Sequence, residues 1–195
     1  MAGERSRFEW GKIARRIRVP LGFVVAGLFL WLARPTWLSL SWSLWVVVPG
    51  VWLRGFASGY VKKNAELAVT GPYAHTRNPL YLGSMLIAFG FAAAAWNVWI
   101  LLTLAGLFAA IYIPTILSEE AYLREHFAGF AAYSSAVPRL LPRLTAARVG
   151  GGAAEAQGSF SSALYLRHRE YNSLIGAGAI YLALAVKLLH AHARF

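Results

Sequence analysis

The fold class that the sequence predicts is an all-α integral membrane protein with five transmembrane helices and a cytoplasmic N-terminus, and three observations predict it. The 195 residues are 58% hydrophobic and only 14% charged, whereas soluble domains carry about a quarter of their residues as charges. Five apolar runs approach the ~20 residues that cross a bilayer as helix. The cations are also unevenly placed. Of 19 Lys and Arg, 16 precede the first run or stand at its start, or lie between the second and third or the fourth and fifth, which puts those segments on the cytoplasmic side. A single membrane domain over 1–195 follows.

The first run, 17–33, is preceded by Arg5, Arg7, Lys12, Arg15 and Arg16 and carries Arg18 at its start. A cleaved secretory signal fits it poorly: no small-x-small site follows, and Arg34-Pro35 comes next. Phe8, Trp10, Ile13 and Ile17, interleaved with these cations, read either as an interfacial helix on anionic lipid or as a plain topogenic flank. The second run, 37–53, contains Pro49-Gly50 and is expected to bend or break there. The third and fourth, 80–95 and 98–117, lie nearly back to back, with Trp96-Asn97 as a tight hairpin turn. A Gly- and Ala-rich stretch over 145–162, with Gly150-Gly151-Gly152, reads as a flexible linker. In the last run, 174–189, Gly176, Ala177, Gly178 and Ala179 suit close helix packing.

The net charge of +11 suggests a nucleic acid, but topology alone accounts for every cation, so no nucleic-acid partner is required. The chain has no Cys, which removes disulfides, thiolate catalysis and Cys-based metal sites. His190 and His192 stand on a terminal tail without acidic neighbours and read as surface residues; no metal is expected. No G-x-G-x-x-G follows a strand-like run, and five spans leave no space for a soluble Rossmann domain.

Polar residues concentrate in two loops of the cytoplasmic side. In the loop from Arg54 to Pro79, Gly71-Pro72 is a turn signal and Asn78-Pro79 is a helix start, because Pro at the first helical position is pre-organised for it. Tyr81 and Gly83 then sit on the first turn and Arg77 beside its free N–H donors. That arrangement suits a carboxylate or other anion; alternatively, Tyr81 and Arg77 anchor a helix end at the interface. The second loop opens at Ser118-Glu119-Glu120. Acids at a helix C-terminus are disfavoured by the macrodipole. Either the helix ends there and the pair has a local task, or it runs on through Phe127 and the pair is a solvated face.

Gly71-Pro72-Tyr73 and Arg77-Asn78-Pro79-Leu80-Tyr81-Leu82-Gly83, followed about 36 residues later by Glu119-Glu120 with Leu123, Phe127, Tyr133 and Val137-Pro138-Arg139, resemble the isoprenylcysteine carboxyl methyltransferase family and the related phospholipid methyltransferases. The resemblance covers 52–142. It implies an integral membrane enzyme that moves the methyl group of S-adenosylmethionine to a lipid-like acceptor, most like isoprenylcysteine carboxyl O-methylation. The alternatives are phospholipid N-methylation and methylation of a small hydrophobic thiol. The cofactor residues it implies are Tyr73, Arg77, Asn78, Tyr81, Leu82 and Glu120, near the cytoplasmic face. Arg54 and Glu119 match its catalytic positions, with Arg54 gripping an acceptor carboxylate and Glu119 orienting Arg54 or holding the cofactor's ammonium group. The implied partners are membrane lipid and a prenylated or otherwise apolar acceptor. The last helix serves as a homodimer contact or as a lid over the acceptor groove. The implied location is a bacterial-type inner membrane or the endoplasmic reticulum.

The chain departs from the family pattern at Asn78, where His is usual, at Thr115, where the carboxyl methyltransferases carry a second Arg, and between Phe127 and Val137, which is one residue short with Phe130 in place of Tyr. These departures bear on the acceptor more than on the cofactor. A non-catalytic membrane scaffold that keeps the fold is the rival from another class. An enzyme requires Arg77, Tyr81 and Glu120 to line one pocket, whereas a scaffold lets them point apart.

Overall fold

The computed structural model describes residues 25–62, 66–149 and 158–193, and all regular structure in them is helical. The expected interfacial segment around Phe8 to Ile17, and the glycine triplet of the linker, lie outside the described residues. Helix α1 covers residues 25–32. It is followed by α2 (Trp37–Ser58), a 3-10 turn (Gly71–Ala74), α3 (Pro79–Ala95), α4 (Val98–His126), α5 (Phe130–Ala136), α6 (Ser162–Arg167) and α7 (Tyr171–His192). Three helices, Trp37–Ser58, Val98–His126 and Tyr171–Ala191, are long and apolar enough to cross a membrane; α3 is apolar but has 17 residues, about 26 Å at 1.5 Å per residue.

Local signals explain the boundaries. Thr36 caps α2 reciprocally, its Oγ1 accepting from Ser39 N and Ser39 Oγ accepting from Thr36 N, both at 3.0 Å. Such a box satisfies two donors that a helix start leaves orphaned. Asn78-Pro79 opens α3 as expected. Trp96 ends it in the left-handed region (φ 48°), and Asn97 caps α4 by accepting from Trp99 N at 2.9 Å, so the hairpin turn falls where the sequence puts it. Two expectations change. Helix α2 is continuous through Pro49. Helix α4 does not end at Leu117 but runs nine residues further. Its 29 residues reach about 44 Å, beyond a ~30 Å hydrocarbon core, so its last turns carry Glu119 and Glu120 past the apolar layer.

Helices α2 and α3 form the closest pair. A Cβ on Gly50 would lie 2.9 Å from Gly83 O, and one on Gly83 would lie 2.6 Å from Arg54 Cγ and 2.8 Å from Gly50 O. Only a residue without a side chain permits that approach. The close packing expected at Gly176 and Gly178 is not found there: a Cβ at either meets nothing within 4 Å.

Helix α7 runs antiparallel to α2. Tyr181 OH and Ser43 Oγ share a 2.7 Å bond, and Lys187 Nζ donates to Leu30 O, Trp31 O and Ala33 O at 2.5, 3.0 and 2.7 Å. Around this turn end, Ala33, Leu40, Ala92, Ala95, Ile100 and Leu184 pack together. Trp31, Trp37, Trp96 and Trp99 stay exposed there, as interfacial tryptophans do. Along the shafts, Trp45 (78% exposed), Leu38, Trp42, Ile113, Leu174 and Leu182 face outward. Apolar area of that extent marks a surface made for lipid.

Candidate active site at the polar helix ends

At the end opposite the tryptophans, the segment after α4 folds back over the start of α3 and is tied to it by backbone. Arg77 N donates to Pro138 O, Arg143 N to His75 O and Ala147 N to Ala74 O, at 3.0, 3.0 and 2.9 Å. Thr76 Oγ1 donates to Leu140 O at 3.0 Å and Asn78 Nδ2 to Arg139 O at 2.9 Å. Underneath, Phe130, Tyr133, Val137 and Ala147 form a small core, and the Tyr133 hydroxyl donates to Tyr73 O at 2.8 Å. The Gly71 turn makes this possible. Its φ is +58°, and a Cβ there would sit 2.6 Å from the Tyr60 ring, so the position requires glycine.

Between the start of α3, the end of α4 and residues Val61, Lys62 and Glu66 to Ala68 lies a cavity of about 610 Å³, with Phe127, Phe130 and Tyr133 also in its wall. Arg54, Tyr73, Arg77, Asn78, Tyr81, Glu119 and Glu120 all line it. Leu82 does not; it is buried, because one residue along a helix turns the side chain ~100° away from the Tyr81 face.

Glu120 is 6% exposed and fully partnered. Its Oε2 accepts from Arg139 Nε and Nη2 at 3.1 and 3.0 Å, and its Oε1 from Asn78 Nδ2 at 3.4 Å, with Arg77 Nη1 at 3.5 Å. Helix α4 therefore runs through the acid pair, but Glu120 is not on a solvated face. Glu119 is exposed and accepts from the Tyr81 hydroxyl at 2.8 Å; among the described residues no cation pairs with it. Tyr81 in turn meets the Tyr112 ring edge-on at 5.3 Å, which fixes its direction. Arg77 Nε is buried and has no partner.

Arg54 is held otherwise than expected. Its Nε and Nη2 donate to Glu170 Oε2 and Oε1 at 3.0 and 2.9 Å, and Nη1 donates to Ser84 Oγ and, at 3.4 Å, to Leu80 O. The carboxylate that orients Arg54 is thus Glu170, at the start of α7, and not Glu119. Sequence reasoning missed Glu170. Its signal was a lone acid between Arg169 and the last apolar run, in a chain with only eight acids.

Burial pushes the Tyr73 hydroxyl above its usual pKa, with Tyr133, Glu119 and Glu170 adding to the rise and Arg54 opposing it. Burial does the same to Tyr133, where Arg77 opposes and Glu120 adds. Both phenols are neutral donors at any physiological pH. Among the described residues no group of three or more His, Cys, Asp or Glu is placed to hold a metal ion.

Residues 40–129, less than half of the chain, match the phospholipid methyltransferase family. Its members are membrane methyltransferases, and three apolar helices of spanning length agree with an integral membrane protein. Two curated relatives align. The cobalt-zinc-cadmium resistance protein CzcN of Cupriavidus metallidurans is 33% identical over 138 residues, covering 66% of this chain and 62% of that protein. The nickel-cobalt-cadmium resistance protein NccN of Alcaligenes xylosoxydans xylosoxydans is 34% identical over 95 residues, covering 49% and 44%. The chain thus spans less than two thirds of either relative's length. No solved structure matches it.

Proposed function

We propose that this chain is an S-adenosylmethionine-dependent methyltransferase that works on a lipid-like or apolar acceptor at the cytoplasmic face of a membrane, with five spans, its N-terminus inside and its C-terminus outside. One observation carries the reading. The cavity is lined by Arg77, a buried guanidinium with an unpartnered Nε, and by Glu119, a carboxylate that no cation among the described residues pairs with. A zwitterionic amino-acid group complements that pair: its carboxylate meets Arg77 and the free N–H groups of the α3 start, and its ammonium meets Glu119. Arg77, Tyr81 and Glu120 lining one cavity favours the enzyme over the scaffold.

When bound, S-adenosylmethionine supplies a sulfonium methyl, whose C–S bond breaks as an acceptor lone pair takes the carbon. The rest falls to the protein. The strap over 137–147 ties down the start of α3 through Arg77 N, Thr76 and Asn78, Glu120 fixes Arg77 and Asn78, and the Tyr112 ring fixes Tyr81. Such work is alignment and exclusion of water, which suffice for an in-line displacement. The orientation rests on the cations around the site.

Calorimetric titration of S-adenosylmethionine and its demethylated product into the detergent-solubilised chain tests the reading. Micromolar binding is expected, lost in Arg77→Ala and Tyr81→Ala; a well-folded wild type that binds neither compound refutes it. Because the chain has no Cys, single cysteines at Ser134 and Asn97 test the topology, with labelling expected from opposite sides.

A further inference from the structure

A second cavity, of about 650 Å³, runs along the outside of the molecule between α2 and α7. Val48, Val51, Trp52, Leu174 and Ala177 contribute to its walls, and among the described residues that line it Glu170 is the only charged one. Glu170 also lines the polar cavity. The two spaces therefore meet at the Arg54–Glu170 ion pair, whose side chains are 25% and 13% exposed. On α2 the groove extends from Leu44 to Phe56, about 18 Å of helix at 1.5 Å per residue. That is close to one leaflet, half of a ~30 Å hydrocarbon core. Two further features keep it open. Among the described residues, a Cβ at Gly178 in its wall would meet nothing within 4 Å, and Trp52 and Leu174 stand well exposed at its rim.

We infer that this groove receives the aliphatic chain of the methyl acceptor, and that Glu170 selects acceptors whose head group carries no negative charge. This deepens the proposed function and rests on it. A groove of leaflet length that is apolar throughout and ends at a polar cavity fits one lipid chain lying parallel to α2, its head beside Glu170. The charge at that point decides the head. Every nitrogen of Arg54 is engaged, two of them bidentately by a carboxylate, the strongest contact a guanidinium makes. An incoming carboxylate meets Glu170 and, among the described residues that line the groove, no cation, while an amine or hydroxyl meets an acceptor. Glu170 thus occupies the place on Arg54 that a carboxylate substrate would need.

The test uses the full chain in phosphatidylcholine nanodiscs, with one bimane-labelled cysteine at Leu174 in the groove or at Ile113 on the lipid face of α4. The probes are nitroxide-labelled hexadecyl chains ending in an amine, a hydroxyl or a carboxylate. The amine and hydroxyl probes are expected to quench the groove label at concentrations about tenfold lower than the α4 label, and the carboxylate probe to show no such preference. Gly178→Phe, whose Cβ has open space at that wall of the groove, should abolish the preference. Glu170→Gln, which frees Arg54, should create one for the carboxylate. Equal quenching at both labels with every head, as when another protein segment fills the groove, would overturn the inference, and so would a wild-type preference for the carboxylate or indifference to Gly178→Phe. Calorimetry with S-adenosylmethionine on the same samples keeps the two readings apart. Wild type that fails to bind it sinks the enzymatic proposal, whereas normal binding with no groove preference sinks only this one.

Discussion

Replacing Glu120 by Gln isolates how the polar end is held together. The carboxylate is 7% exposed and serves two arginines of different standing: Arg77, 12% exposed at 3.5 Å, and Arg139, 51% exposed at 3.0 Å. The shorter contact is the weaker contributor, because Arg139 regains water when released, and pairs so exposed are worth about 0–1 kcal/mol. Arg77 has no such recourse. Its Nε already lacks a partner, and stranding a buried cation costs about 1.5–3 kcal/mol per lost charged hydrogen bond. The sum is about 2–4 kcal/mol. At roughly 2–4 °C per kcal/mol for a chain of this size, melting followed by tryptophan fluorescence in detergent should drop by about 8 °C. Arg139→Gln should cost about 1 kcal/mol at most, and Arg77→Gln in the Glu120→Gln background should recover part of the loss. A Glu120→Gln melting point within about 1 °C of wild type, or a coupling to Arg139 larger than that to Arg77, refutes the assignment.

Three further outcomes are expected. Gly83→Ala drives a methyl group into Arg54 Cγ and Gly50 O at 2.6 and 2.8 Å and should destabilise by about 1–3 kcal/mol, whereas Gly176→Ala, in open space on α7, should gain about 0.5–1 kcal/mol from helix propensity; similar melting shifts for the two would contradict the packing described. Tyr133→Phe leaves the Tyr73 carbonyl without its donor and should cost about 1–2 kcal/mol, seen as a lower melting point with unchanged helical circular dichroism. The raised pKa of Tyr73 and Tyr133 means that above about pH 10 the unfolded chain releases protons which the folded chain keeps, so stability is full below that pH and falls as pH rises through it; a flat alkaline melting curve, or one whose slope Tyr133→Phe does not reduce, counts against it.

The apolar runs and turn signals made most of the helices legible, because bilayer thickness and the Asn-Pro and Trp-Asn punctuation act locally. Three things were not legible. The continuity of α2 through Pro49 depends on the partner helix: Gly50 packs on Gly83, Leu86 and Ile87, and that tertiary contact outweighs the local tendency to break. Helices α5 and α6 are seven and six residues long, too short for a period to emerge from composition. Glu170 lay outside the region of family resemblance, and only the antiparallel return of α7 along α2 brings it to Arg54.

The two motifs of the polar end meet chiefly through main chain. Of the contacts that join 74–78 to 136–147, those at Pro138, Arg143, Ala147, Arg139 and Leu140 use backbone N–H or C=O groups of the strap. A run such as Val137-Pro138-Arg139 therefore works less by side-chain chemistry than by holding carbonyls where Arg77 N, Thr76 and Asn78 need them. That accounts for the tolerance of two departures. Phe130 supplies core packing without a hydroxyl, because Tyr133 already makes the bond to Tyr73 O. Asn78 in place of His keeps a donor for Arg139 O and for Glu120, and it adds no titrating charge beside Arg77. The third departure, Thr115, fits the same logic from the acceptor side. Its hydroxyl turns back to Ile111 O at 2.6 Å, so the cavity lacks a second cation at that position just where Glu170 neutralises the first.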